Sequence, residues 1–206
     1  MATRVGLDQG RTMLDVIHRR RAVRSYTSDK LDESTIRTLL DAAVQAPTAM
    51  HLEPWAFVVI QDVALLRRYS DRAKAMAQEE ASKHGDLLKA PGASSSRDPV
   101  ALLASPAFNI FYDASTLIVV CGKSMGSFVV ADCWLAAENL MLAACGLGLG
   151  TCCIGFAVPV LNTAEVKREL GIPVDGTAVA PLIVGVPRGA TPPVPRKPPE
   201  ILRWVR

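Results

Sequence analysis

The chain has 206 residues, of which 50% are hydrophobic and 21% are charged. This length and composition are typical of one globular domain and exclude a disordered or fibrous chain. The formal net charge of only +3 disfavours nonspecific nucleic-acid binding, which usually needs a strongly basic surface. We therefore expect a single domain over residues 1–206.

The N-terminal segment contains no apolar run of signal-peptide length and carries acidic residues early, so we expect a cytoplasmic protein. The cysteines lie in mostly apolar surroundings without a CxxC pair, which favours buried thiols over disulfides or metal ligands. They are Cys121, Cys133, Cys145, Cys152 and Cys153. Glycines and a proline interrupt the uncharged run 139–164, so a membrane-spanning helix is disfavoured there.

The first notable segment is HRRRAVRSY, from His18 to Tyr26, which contains four arginines. Arginines near the C-terminal end of a helix interact favourably with the helix dipole, and for Arg19, which we expect to face solvent, this explanation is sufficient. Arginine also offers forked donors that match phosphate oxygens, so a phosphate site is an equally good interpretation.

The next segments alternate between helical and strand patterns. Residues 32–47 have apolar positions on one helix face, with Asp32 as the N-cap and Pro47 at the end. WAFVVIQD predicts a strand, and the segment from Val63 to Gly85 predicts a second helix. Residues 83–107 mix glycine, proline and serine with few large apolar groups, and they predict a surface loop.

In the second half, STLIVVCG predicts a strand that is buried on both faces. SFVVADCWLAAENLMLAACGLGLG predicts a helix that is apolar almost all round, so it must lie centrally or at a subunit interface. TCCIGF and GTAVAPLIVGVP predict two further strands around a short helix, NTAEVKREL. The proline-rich segment TPPVPRKPPEILRWV follows them.

Three glycines, Gly146, Gly148 and Gly150, could be mistaken for a dinucleotide-binding fingerprint. That fingerprint follows a strand and opens a helix, whereas these glycines follow the end of a helix. We interpret them as helix termination and close packing. The sequence shows no Ser/His/Asp set, zinc-ligand spacing or GxxxxGK motif, which disfavours hydrolase and NTPase functions.

Two N-terminal motifs, RRAVRSY and APTAMHLEPWAFVVI, resemble the paired signature of the FMN-dependent nitroreductase family, R-R-S-x-R and A-P-S-A-x-N-x-Q-P-W-x-F. DCWLAAENLMLAACGLGLGTCCIGF resembles the central helix of the family and the turn after it, and PRKPPEILRW resembles its C-terminal arginine segment. The resemblance leaves out residues 63–115, which we expect to be a variable helical and loop excursion.

The resemblance implies an α+β fold of the nitroreductase type, in which helices flank a central, mostly antiparallel sheet. It implies a homodimer formed through long central helices, with FMN sites at the subunit interface. The implied ping-pong reaction moves hydride from NAD(P)H through flavin N5 to a nitroaromatic, a quinone or a similar planar, electron-poor acceptor. Because FMN supplies the electron chemistry, we expect no catalytic side chain.

The resemblance also implies which residues bind FMN. Arg20, Arg21 and Arg24 are expected near its phosphate and pyrimidine ends, Arg196 at the phosphate, and the backbone near 154–155 beside N5. The implied cofactor-binding residues are Arg20, Arg21, Ala22, Arg24, Pro47, Thr48, Ala49, His51, Cys153, Ile154, Gly155 and Arg196. We expect no metal.

Three positions depart from the family pattern. Ala22 replaces serine, His51 replaces asparagine and Glu53 replaces glutamine. Two interpretations of His51 and Glu53 stay open. Histidine can change its charge near neutral pH, so the two residues could tune the flavin and the choice of acceptor. Surface loops vary more than cores, so both side chains could instead simply face solvent.

Other functions remain open at this point. Members of the same superfamily use flavin for dehalogenation, dehydrogenation or flavin breakdown. A nucleic-acid-binding regulator that uses residues 18–24 is a weaker alternative, because aromatic residues suited to base stacking make up only 5% of the chain. We expect neither a nucleic-acid nor a membrane partner, and the sequence does not identify the physiological acceptor or the choice between NADH and NADPH.

Overall fold

The structure, a computed structural model, describes residues 12–84, 99–123 and 126–205. Within these ranges four strands form one sheet in the order β1-β2-β4-β3, and every neighbouring pair is antiparallel. The strands are β1 Trp55–Ile60, β2 Thr116–Gly122, β3 Gly150–Cys153 and β4 Thr177–Gly185. The predicted α+β class with a mostly antiparallel sheet is confirmed.

Seven α-helices accompany the sheet in the described ranges. They are α1 Met13–Arg19, α2 Glu33–Ala43, α3 Val63–His84, α4 Pro99–Ala104, α5 Val129–Gly146, α6 Val158–Leu161 and α7 Ala164–Glu169. Two short 3₁₀ helices lie at Ala49–His51 and Gly155–Ala157.

Three of the sequence predictions need correction. Helix α2 begins after Asp32, whose carboxylate accepts the amide of Thr35 at 2.6 Å, but it ends at Ala43 rather than at Pro47. The predicted loop 83–107 contains α4, because Leu103 of this short apolar run is buried against α3. Residues 85–98 of that loop lie outside the described residues. The predicted strand TCCIGF ends at Cys153, where a 3₁₀ turn replaces it.

The core lies on both faces of the sheet, as predicted for β2. Side chains of β2 alternate between two buried clusters, with Leu117, Val119 and Cys121 in one and Ile118 and Val120 in the other. The first cluster is covered by α3, α4, α6 and α7, and the second by α2 and α5. The sheet is therefore a central layer between two helical layers.

Helix α5 packs on α2 and the sheet with one face and exposes an apolar opposite face. Cys133, Ala136 and Leu140 are completely buried, whereas Trp134 and Leu135 are 41% and 45% exposed. By length and composition alone α5 could cross a membrane, but its buried face is also typical of the core helix of a soluble protein. The apolar surface that remains is a candidate contact for another chain.

The glycine-rich end of α5 terminates the helix and allows close packing. Gly148 has a φ of +76°, and the amides of Leu149 and Gly148 donate to the carbonyls of Ala144 and Cys145 at 2.8 and 3.1 Å. This is the hydrogen-bond pattern of a glycine C-cap. A Cβ at Gly150 would lie 2.8 Å from Val23. The interpretation as helix termination and close packing is confirmed.

Candidate functional site

The arginine-rich segment lies along β3. A parallel bridge joins Ala22 to Thr151, and the amide of Val23 donates to the carbonyl of Thr151 at 2.9 Å. Val23 is buried in the core, whereas the side chains of Ala22 and Arg24 are exposed. The sheet therefore fixes where the arginines on either side of Val23 emerge.

One cavity of about 470 Å³, here the apolar cavity, lies where β3 ends. Its wall includes the turn after β3, and most of its other lining side chains are apolar. The lining residues are Arg24, Leu102, Leu103, Phe108, Ile110, Tyr112, Cys152, Cys153, Ile154, Gly155 and Phe156. A cavity with this lining suits a mostly apolar small molecule.

A second cavity of about 360 Å³, here the arginine cavity, is lined by Arg19, Arg20 and Arg21. Other parts of its wall are formed by Gly148, Thr151, Pro187, Gly189, Ala190, Thr191 and Pro193. Arg19, expected to face solvent, is exposed but also lines this cavity. Three guanidinium groups around one space favour an anionic ligand such as a phosphate.

Two arginines of this cavity, Arg20 and Arg21, have partners within the chain. The Nε of Arg20 lies 3.4 Å from Oε1 of Glu138, and one Nη of Arg21 donates to the carbonyls of His18 and Arg20 at 2.6 and 2.9 Å. Arg21 therefore also closes the C-terminal end of α1, while Arg20 is held in place beside α5.

Neighbouring residues of β3 line the two cavities. Thr151 lines the arginine cavity and Cys152, the next residue, lines the apolar cavity. Burial raises the pKa of the Cys152 thiol, while the nearby guanidinium groups of Arg24 and Arg20 act in the opposite direction. Both arginines therefore lie near Cys152 in β3.

The turn after β3 presents backbone to the apolar cavity. Of the two predicted flavin contacts, the amide of Ile154 already donates to the carbonyl of Pro181 at 2.9 Å. Among the described residues, no backbone carbonyl accepts the amide of Gly155, and a Cβ added there would meet nothing within 4 Å. Gly155 is therefore the better placed of the two to donate to a ligand.

Cys153 is another residue that lines the apolar cavity. Burial raises its pKa to about 11, so the thiol is protonated near neutral pH. A protonated thiol is a poor nucleophile, and the position is better suited to packing than to covalent catalysis.

The predicted loop residues Pro47, Thr48, Ala49 and His51 line neither cavity within one chain. The amide of Ala49 donates to both carboxylate oxygens of the buried Asp132 at 3.3 Å, which fixes the loop at the start of α5. This loop lies outside the site that a single chain forms.

His51 and Glu53 form a pair at the surface of the same loop. Their Nε2 and Oε1 atoms are 3.4 Å apart, and the side chains are 92% and 57% exposed. The backbone has positive φ angles of 52°, 56° and 45° at Met50, His51 and Glu53. Within one chain both side chains face outward.

Arg196 stands apart from the arginine cavity. Pro193 is the last residue of the chain that lines this cavity, and Arg196 lies three residues further along an exposed, extended segment. One chain therefore brings Arg20 and Arg21 to the cavity but leaves Arg196 outside its wall.

The sequence did not predict six residues that line the apolar cavity. They are Leu102, Leu103, Phe108, Ile110, Tyr112 and Phe156. A signal was present in PAFNIFYD, where Phe108, Phe111 and Tyr112 concentrate aromatic residues in a chain with few of them. The described residues contain no group of three or more His, Cys, Asp or Glu side chains that could hold a metal ion.

The model of the Nitroreductase family matches residues 17–186, which includes the segment 63–115 that the motif resemblance left out. A protein of Archaeoglobus fulgidus named as a NADH dehydrogenase/NAD(P)H nitroreductase is 28% identical over 180 residues, 85% of each chain. The 5,6-dimethylbenzimidazole synthase of Rhodospirillum rubrum is 31% identical over 185 residues, 84% of this chain and 81% of the relative.

The fold also has solved counterparts. A crystal structure of a nitroreductase with bound FMN from Bacteroides fragilis has a TM-score of 0.75 at 24% identity, covering 95% of this chain and 100% of that one.

Proposed function

Because the chain belongs to the Nitroreductase family, we propose that it is a homodimeric, FMN-dependent oxidoreductase. It would carry hydride from NADH or NADPH to a planar, electron-poor acceptor such as a nitroaromatic or a quinone. The observation that supports this proposal is a pair of cavities, one apolar and one rich in arginine, that are lined by neighbouring residues of β3. FMN combines a flat ring with a phosphate, which matches that pair.

The arginine cavity fits the phosphate. Arg20 and Arg21 supply charged donors, and the backbone near Gly148 and Gly189 leaves room beside them. Arg196 could reach the same phosphate from the extended segment that follows Pro193. The charge of Arg20 is partly balanced by Glu138, which lies 3.4 Å away.

The apolar cavity fits the ring. When bound there, FMN supplies the hydride chemistry at N5, and the protein supplies binding, orientation and exclusion of water. The amide of Gly155 is placed to donate to the ring edge, and Arg24 places a positive charge on the same wall. Protonated Cys153 packs against the ligand without taking part in the chemistry.

A second copy of the chain would complete the site. The loop 47–53 faces outward at the start of α5, next to the exposed apolar face of that helix. Pairing of two α5 helices would bury that face, and we propose that it brings the loop of one protomer to the cavities of the other. His51 and Glu53 would then lie near the acceptor rather than in solvent.

A second candidate is another flavin reaction of the same family, such as flavin breakdown. The observation that favours another reaction is the 31% identity with a relative from Rhodospirillum rubrum that is named as a 5,6-dimethylbenzimidazole synthase and not as a nitroreductase. A nucleic-acid-binding regulator has less support, because Arg19, Arg20 and Arg21 line a cavity.

An absorption spectrum followed by anaerobic titration tests the proposal. We expect a yellow protein whose flavin band is bleached by NADH or NADPH and restored by a nitroaromatic or a quinone. A protein that remains colourless after incubation with FMN would contradict the proposal. Consumption of bound FMN in the presence of oxygen, without acceptor turnover, would favour the second candidate.

A further inference from the structure

One buried carboxylate has no part in the proposed reaction. Asp132 lies in the first turn of α5 and is only 5% exposed, and no ion pair within the described ranges gives it a cationic partner. Burial of a charge without a counter-ion destabilises a fold unless hydrogen bonds compensate for it. The conformation that Asp132 holds is therefore a better explanation for this residue than the stability that it adds.

The hydrogen-bond partner of Asp132 is the loop 47–53. Both carboxylate oxygens accept the amide of Ala49 at 3.3 Å. The other hydrogen bonds of the loop join its own residues, such as the amide of Glu53, which donates to the hydroxyl of Thr48 at 3.4 Å. Within the described part of the chain, Asp132 is thus the one group outside the loop that forms a hydrogen bond with it.

The backbone of the loop needs such an anchor. Met50, His51 and Glu53 have left-handed φ angles of 52°, 56° and 45°, which residues other than glycine rarely adopt. Strain of this kind persists where the surroundings determine the conformation. Met50 and the side chain of His51 are 90% and 92% exposed, so contacts of these two side chains do not hold the loop. The hydrogen bond to Asp132 is therefore the main constraint that reaches beyond the loop.

This anchor lies next to the surface proposed for pairing. Phe128 and Val130, four and two residues before Asp132, are 63% and 54% exposed, and they begin the apolar face of α5. The positive end of the helix dipole lies at the same turn and stabilises a negative charge there. The start of α5 therefore carries both the contact surface for a second copy and the group that sets the loop.

We infer that Asp132 is a positioning residue that links assembly to cofactor retention, an inference that rests on the homodimeric, FMN-dependent function proposed above. Its carboxylate fixes the amide of Ala49 and so holds the loop 47–53 in the conformation that reaches the cavities of the partner protomer. Asp132 itself does not touch the cofactor. Its loss should weaken FMN binding while the dimer stays intact.

Hydrogen exchange of the purified protein tests the anchor directly, whether or not FMN is bound. In Asp132→Ala the peptide that covers residues 48–53 should exchange at least about tenfold faster, the effect of losing one hydrogen bond to a charged group. Asp132→Asn keeps one acceptor oxygen and should restore part of the protection. Asn139→Ala is the matched control, because it removes a 3.2 Å hydrogen bond from the same helix to the carbonyl of Ala42 and leaves the loop alone.

Cofactor retention and assembly test the link. Flavin fluorescence on dilution of the purified holoenzyme measures the dissociation constant of FMN, which should rise about tenfold in Asp132→Ala, less in Asp132→Asn and not at all in Asn139→Ala. Sedimentation should show dimers for all three variants at micromolar concentration. A general disturbance of α5 would instead affect Asp132→Ala and Asn139→Ala alike. If Asp132→Ala does not fold, Asp132→Asn keeps the shape of the side chain and carries both measurements.

The outcomes separate this inference from the proposed function. Unchanged exchange of residues 48–53 in the Asp132 variants would overturn the anchor, and faster exchange with unchanged FMN affinity would overturn the link to the cofactor. Loss of the dimer together with FMN would show that Asp132 acts on assembly and not through the loop. A wild-type protein that binds no FMN would contradict the oxidoreductase function and the link with it, whereas the exchange experiment would still decide the anchor.

Discussion

At the scale of single residues, the arginines of HRRRAVRSY have different environments. Arg21 donates to two backbone carbonyls and so stabilises the end of α1, whereas Arg20 contacts only a half-exposed carboxylate. Arg24 reaches the other cavity and packs over Tyr112. Arg20 is therefore the arginine whose loss should affect a bound phosphate with the least damage to the fold.

We predict that Arg20→Ala weakens FMN binding about ten- to hundredfold. A hydrogen bond to a charged group contributes about 1.5 to 3 kcal/mol, and about 1.4 kcal/mol corresponds to a factor of ten in affinity. The dissociation constant can be measured by fluorescence titration of the apoprotein with FMN. Arg37→Ala, which removes an exposed arginine paired with Glu33 on α2, should have no effect.

Riboflavin provides the ligand control for this prediction because it lacks the phosphate. Its affinity should be low in the wild-type protein and should barely change in Arg20→Ala. An equal loss of FMN and riboflavin affinity would mean that Arg20 supports the fold and does not contact phosphate.

The sequence predicted the arginine side of the candidate site better than its aromatic side. Arg20 and Arg24 belong to a short motif whose chemistry is visible in the residue types. The aromatic residues of PAFNIFYD are visible in the sequence, but the hydrogen bonds from Ser70 and Lys74 of α3 that anchor their loop beside the apolar cavity are distant contacts without a local pattern. The outward position of His51 in one chain is one of the two alternatives that the sequence left open.

At the scale of elements, β3 connects the arginine segment to the glycine-rich end of α5. We predict that Gly150→Ala destabilises the protein by about 1 to 3 kcal/mol, because its Cβ would lie 2.8 Å from Val23 and overpacking costs about this much. The change would push residues 22–24 away from β3. Urea unfolding measures the effect.

Gly155→Ala is the matched control for stability, since its Cβ would meet nothing within 4 Å. Similar unfolding midpoints for the two variants would show that the contact between Gly150 and Val23 does not limit packing.

The buried thiols of β2 and α5 should make stability depend on alkaline pH. Burial raises the pKa of Cys121 and of Cys133 to about 11, whereas thiols of the unfolded chain ionise near pH ~8.5. As pH rises, the unfolded state loses its thiol protons first. The free energy of unfolding should therefore fall between about pH 8.5 and 11 and be unaffected by these thiols below that range.

Urea unfolding at several pH values, under reducing and anaerobic conditions, measures this dependence. Cys133→Ala should lower the stability near pH 7 by removing buried volume, but its stability should fall less steeply with alkaline pH. A variant with the same slope as the wild-type protein would show that the thiol does not contribute.

Regular elements were predictable where a pattern was long or strong. The alternation of β2 between two cores and the Asp32 cap of α2 both follow from local sequence. Helix α4 was missed because six residues are too few to show a period, and the tertiary contact of Leu103 with the core stabilises it. The predicted strand TCCIGF was longer than β3, because a 3₁₀ helix begins at Gly155.

At the scale of the whole molecule, one chain leaves an apolar surface exposed and the loop 47–53 outside the lining of both cavities. Phe128, Val130, Trp134 and Leu135 expose large apolar side chains along one side of α5. The exposed segment after Pro193 adds Leu202, which is 92% exposed. Surfaces of this kind in a water-soluble protein usually contact another chain. The loop 47–53 lies beside α5, so one contact could bury the surface and complete the site.

We predict that the protein is an obligate homodimer and that Leu135→Lys weakens the dimer by about two orders of magnitude or more, because a buried unpaired charge costs several kcal/mol. The variant should sediment as a monomer at micromolar concentration and lose FMN together with its partner. Val174→Lys is the matched control, since Val174 is 96% exposed away from α5 and the same charge there should change neither property. A wild-type monomer that retained FMN would show that one chain forms the whole site. A Leu135→Lys monomer that retained FMN would separate assembly from cofactor binding, because the partner's loop would then be dispensable.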